Sequence, residues 1–76
     1  MVQAHNERYM MKIKTFKKAH VTWEVLMPSG FIEVKVRCDN GYFDKVRCDT
    51  REAARDYWQS FCAIAKTVSS SRTLKA

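Results

Sequence analysis

The chain has 76 residues, a formal net charge of +6, 46% hydrophobic residues and nine aromatic ones. That is one domain, apolar enough to fold, but a chain this short buries only about 60% of its unfolded surface, which argues against a deep catalytic cleft. It has no apolar run of about 18 residues to span a membrane, and no apolar stretch behind Met1 to serve as a secretory leader.

Residues 1–11 are polar and aperiodic and read as a flexible N-terminal arm. Lys12, Lys14, Lys17 and Lys18 follow, so the first 18 residues carry a net charge of +4. Residues 12–18 alternate weakly around Ile13 and Phe16, which allows an extra short N-terminal strand. Three stronger strands come next. Val21, Trp23, Val25 and Met27 alternate with His20, Thr22 and Glu24. Ile32, Val34, Val36 and Cys38 alternate with Glu33, Lys35 and Arg37, and Val46 and Cys48 alternate with Phe43, Lys45 and Arg47. Each has the period of two that gives a strand one buried and one open face.

The turns between the strands differ in strength. Pro28-Ser29-Gly30 separates the first pair, with Pro28 suited to position i+1 of a type I turn. The second pair flanks Asp39-Asn40-Gly41 and contains the same pentapeptide twice, Lys35 to Asp39 and Lys45 to Asp49. A two-residue Asn-Gly loop would bring Arg47 beside Val34 and bury charge. A three-residue loop with Gly41 in the left-handed region avoids this and pairs Val34 with Val46, Glu33 with Arg47, Lys35 with Lys45 and Arg37 with Phe43. By the same parity, the first hairpin is expected to set Val25 opposite Val34 and Glu24 opposite Lys35.

A helix closes the domain. Asp49 is expected as its N-cap, with Glu52 completing an approximate capping box. Ala54, Tyr57, Trp58, Phe61, Ile64, Ala65 and Val68 form its apolar stripe, with Arg51, Arg55, Asp56 and Gln59 on the other side. The stripe is expected to cover Trp23, Val25, Val34, Val36 and Val46. Residues 69–76 read as a flexible tail. The expected fold is therefore α+β: a three-stranded antiparallel sheet with one C-terminal helix on one face, over residues 12–68.

Cys38, Cys48 and Cys62 are odd in number, which leaves one unpaired in any disulfide scheme. Two lie on inward strand positions and one on the helix, so all three read as reduced thiols of a cytoplasmic protein. Their spacing matches no zinc ligand set, and His5 and His20 lie well upstream. No catalytic set and no Gly-rich phosphate loop stands out either. The chain reads as non-enzymatic, with no catalytic residues, metal or cofactor.

The candidate site is the cationic sheet face: Lys35, Arg37, Lys45 and Arg47 with Phe43, and Glu24 and Glu33 beside them. Lys35 facing Lys45 repels, and an anionic partner such as nucleic-acid phosphate relieves that repulsion. Lys12, Lys14, Lys17 and Lys18 are candidate auxiliary phosphate contacts. The stretch Asp49-Thr50-Arg51-Glu52-Ala53-Ala54-Arg55-Asp56-Tyr57 resembles the start of the helix in ethylene-response-type DNA-binding domains. The strand Gly30 to Arg37 loosely echoes their second strand, although the tryptophan usual there is absent. Those domains, and the related arm-binding domains of tyrosine recombinases, read the DNA major groove with an exposed three-stranded sheet. The resemblance implies DNA contacts at Lys35, Arg37, Lys45 and Arg47. Double-stranded RNA-binding domains, which also place three strands before a helix, are a variant of this reading. The alternative is a phage or mobile-element inhibitor or adaptor, anti-CRISPR-like, that binds a host protein complex through the same face or through Tyr42 and Phe43.

Overall fold

The computed structural model describes residues 11–70, so most of the expected arm and tail, residues 1–10 and 71–76, lie outside the described residues. Four strands, β1 (Met11–Thr15), β2 (Ala19–Leu26), β3 (Phe31–Cys38) and β4 (Phe43–Cys48), precede one helix, α1 (Arg51–Ser70). The strands form a single antiparallel sheet in the order β1-β2-β3-β4. The chain is thus α+β with a four-stranded sheet. The weak alternation around Ile13 is a paired edge strand that begins at Met11.

The second hairpin has the expected register throughout, including Val34 opposite Val46 and Lys35 opposite Lys45. Gly41 has φ +99°, its N–H donates to the Cys38 carbonyl at 3.0 Å, and the Cys38 N–H donates to the Tyr42 carbonyl at 2.8 Å. A side chain at Gly41 would meet no atom within 4 Å, so the backbone angle alone selects glycine.

The first hairpin departs from expectation by two residues. Val25 faces Ile32 and Glu24 faces Glu33. The ladder runs out to Leu26 opposite Phe31, and the loop closes at once over Met27 to Gly30. Gly30, at φ +84°, donates its N–H to the Leu26 carbonyl at 2.7 Å, and the Met27-Pro28 bond is cis. A register error of two preserves which residues face inward, because the side-chain period is also two. It changes their cross-strand partners.

α1 lies mainly across β2 and β3, and less across β4. Its stripe meets the inward strand residues in a core of Val21, Trp23, Ile32, Val34, Val36, Ala54, Phe61 and Ala65, bordered by Val25, Val46, Trp58, Ile64 and Val68. Trp23 and Trp58 meet edge to face at 6.0 Å. Two expectations are corrected. The cap is Thr50, whose Oγ1 accepts the Ala53 N–H at 3.1 Å, because β4 ends at Cys48 and leaves Asp49 in the connection. Tyr57 is 45% exposed, its ring tilted against that of Phe61 at 6.1 Å, because α1 lies mainly over β2 and β3 and less over β4. At the other end Ser69 accepts the Lys18 N–H at 2.9 Å, which ties the last turn of α1 to the β1–β2 bend.

All three cysteines are free thiols, with Cys38 and Cys48 buried and Cys62 half-buried. Burial pushes each thiol above its ordinary value, with the nearby Asp39 and Asp49 carboxylates adding to the effect at Cys38 and Cys48. Lys14 acts in the opposite sense at Cys62. Reaction of the native chain with a thiol reagent at pH 8 is therefore expected to give one faster thiol, Cys62, and two that wait for opening of the sheet. Three equally fast thiols would contradict the burial of the two strand cysteines. Because the folded thiols resist ionisation, their contribution to stability is complete below the ordinary thiol value of 9.0 and is lost as pH rises above it.

Candidate nucleic-acid interface

Beyond the Leu26–Phe31 pair at the Met27 to Gly30 end, the sheet face opposite α1 is built of three cross-strand rows. The first is Met11, Glu24, Glu33 and Arg47. The second is Ile13, Thr22, Lys35 and Lys45, and the third is Thr15, His20, Arg37 and Phe43. Each row is a set of residues directly paired across neighbouring strands, so its side chains lie on one face.

Charge is segregated along these rows. Both acidic side chains fall in the first. Glu33 is 9% exposed, and its carboxylate lies 3.5 Å from the Arg47 guanidinium and 4.0 Å from the Lys45 ammonium. The first-hairpin register causes this segregation. Had Glu24 faced Lys35, it would have neutralised the centre of the face. Lys35 instead stands between Thr22 and Lys45, and among the described residues neither Lys35 nor Arg37 makes an ion pair.

The second and third rows enclose a shallow depression of about 330 Å³ lined by Ile13, His20, Thr22, Lys35, Arg37 and Phe43. The Arg37 guanidinium sits 5.7 Å from the centre of the Phe43 ring, within cation–π range, and that ring is 50% exposed. Lys45 and Arg47 are not part of this lining and are partly engaged by Glu33. His20 and Thr22 were not among the candidate residues. Alternation placed them on the open face, but their juxtaposition with Arg37 and Lys35 depended on where the first loop closes.

The N-terminal lysines divide into two pairs. Lys17 and Lys18 form the β1–β2 bend, at the end of the sheet where Arg37 and Phe43 lie, and the Lys18 carbonyl accepts the Asp39 N–H at 2.9 Å. Lys12 and Lys14 pair with Trp23 and Val21 and so point to the helix side, away from the other sheet cations. The Lys12 ammonium lies 4.8 Å from the Trp23 ring centre and 5.5 Å from that of Trp58, and Lys14 lies 5.8 Å from that of Phe16.

Among the described residues no group of three or more His, Cys, Asp or Glu side chains is placed to hold a metal ion. No described helix is long and apolar enough to cross a membrane. No protein-family model, curated protein or solved structure matches the chain.

Proposed function

We propose that the chain is a non-enzymatic accessory or regulatory protein that binds nucleic acid, first of all duplex DNA, through its open sheet face. The observation that carries this reading is the row register, which among the described residues leaves Lys35 and Arg37 without a carboxylate partner and sets Lys45 directly opposite Lys35. Like charges across a ladder destabilise it, and phosphate oxygens between them convert repulsion into attraction. Arg37 and Phe43 supply a guanidinium fork and an exposed ring beside those lysines, suited to phosphate or base contact. Lys17 and Lys18 extend the positive surface at the same end.

A gel-shift titration with mixed-sequence duplex at low salt tests the reading. The Lys35→Ala/Lys45→Ala pair is expected to weaken binding at least about tenfold. Glu33→Gln should tighten it by about tenfold, because it removes a carboxylate from the face and releases Lys45 and Arg47. Its cost in stability should stay below about 1 kcal/mol, since both ion-pair partners are more than half exposed.

A second reading has support in the exposure of Tyr42 and Phe43, at 42% and 50%. Adjacent exposed aromatics suit a protein contact, and the chain would then be an inhibitor or adaptor that a phage or mobile element directs against a host complex. Absence of any duplex shift at micromolar protein, together with one co-purifying host complex lost on Phe43→Ala, would decide for this reading.

A further inference from the structure

On the opposite side of the sheet, between β1 and the first half of α1, runs a groove of about 400 Å³. Its lining is Lys12, Trp23, Arg51, Arg55, Trp58 and Gln59: three cations, two indoles and a carboxamide, with no carboxylate. The volume is within the range of small-molecule sites. Arg51 and Arg55 are four residues apart, so they stand one turn above the other on the same flank of α1 and repel. Among the described residues neither makes an ion pair. The Lys12 ammonium lies within cation–π range of both of the nearly perpendicular tryptophan rings, which favours its placement in the groove lining.

We propose that this groove is a second binding site, for a nucleoside phosphate. Three cations in a lining that holds no carboxylate call for an anion, although Glu52 and Asp56 stand beside the arginines in the helix, and the guanidinium forks of Arg51 and Arg55 match phosphate oxygens in pairs. The half-buried Trp58 offers a flat apolar wall to a base, and the Gln59 carboxamide can both donate to and accept from a base edge. An acidic peptide would satisfy the cations but leave the indole wall unused. The site does not rest on the sheet-face reading, since its residues and those of the open face lie on opposite sides of the sheet.

Trp23 and Trp58 are the only tryptophans of the chain, so its intrinsic emission reports on this groove directly. The full chain is titrated at low salt with ATP, AMP, adenosine and inorganic phosphate, with excitation at the red edge of indole absorption. ATP and AMP are expected to give a saturable change, and adenosine and inorganic phosphate to bind at least about tenfold more weakly, each having lost one half of the contact. Arg51→Gln/Arg55→Gln should weaken ATP binding by at least about tenfold while leaving the thermal midpoint in place, since both positions are exposed. Lys35→Ala/Lys45→Ala should leave the titration unchanged, whatever it does to duplex binding. No saturable change below millimolar ATP, an unaffected double arginine variant, or inorganic phosphate binding as tightly as ATP would each overturn the proposal.

Discussion

Phe61→Ala is expected to cost about 3–5 kcal/mol, the range for truncating a buried aromatic and leaving a cavity. Phe61 is 4% exposed and packs in the core that α1 shares with β2 and β3. A domain of this size has roughly 4–11 kcal/mol in total, so the variant loses a large part of its stability or unfolds outright. Tyr57→Ala, one turn earlier, is the control. Its ring is 45% exposed and lies over the rim, so its loss should cost less than about 1 kcal/mol. Urea unfolding of the two variants beside the parent reads both numbers, as a shift in midpoint at constant slope. A Phe61→Ala midpoint equal to that of the parent would mean that α1 does not lie on the sheet as described.

The second large effect is in the salt dependence of duplex binding. If Lys35, Arg37, Lys45 and Arg47 each neutralise one phosphate, log K falls against log salt with a slope of about −3.6. Affinity then drops roughly 150-fold between 50 and 200 mM salt. Engagement of Lys17 and Lys18 steepens the slope to about −5. Replacing Lys35 and Lys45 should flatten it by about two units, because two released counterions are lost from the balance. Lys14→Ala should leave it unchanged, because Lys14 points to the helix side with Val21. A slope near zero with measurable affinity, or an equal response to Lys14→Ala and to the sheet variants, would remove the open face from consideration.

Much of the candidate face could be read from the chain because it depends on local rules. Alternation assigned Lys35, Arg37, Lys45 and Arg47 to one side and Val34, Val36 and Val46 to the other, and the sheet has that division. The second hairpin register followed from Asn40-Gly41 and from the cost of burying Arg47, two constraints with one common solution. The apolar stripe of α1 was equally legible, since Phe61, Ala65 and Ala54 recur at helical spacing and are buried.

The remainder needed the tertiary structure, for reasons that can be named. Alternation fixes which face a residue occupies but leaves registers two apart equivalent, so only the closure of the Met27 to Gly30 loop decided that Glu24 faces Glu33 rather than Lys35. That one step leaves Lys35 opposite Thr22 and so exposes the cationic centre of the face, whereas the pairing of Glu33 with Arg47 belongs to the second hairpin and was legible in the sequence. Tyr57 satisfies the helical period as well as Phe61 does, and only the placement of α1 over β2 and β3 separates the exposed ring from the buried one. The pairing of β1 is likewise non-local: its five exposed residues carry little pattern, yet their register against β2 sends Lys12 to the helix side. Lys12 thereby meets Trp23, Trp58, Arg51 and Arg55, up to 46 residues distant in sequence, in a groove that no single segment encodes.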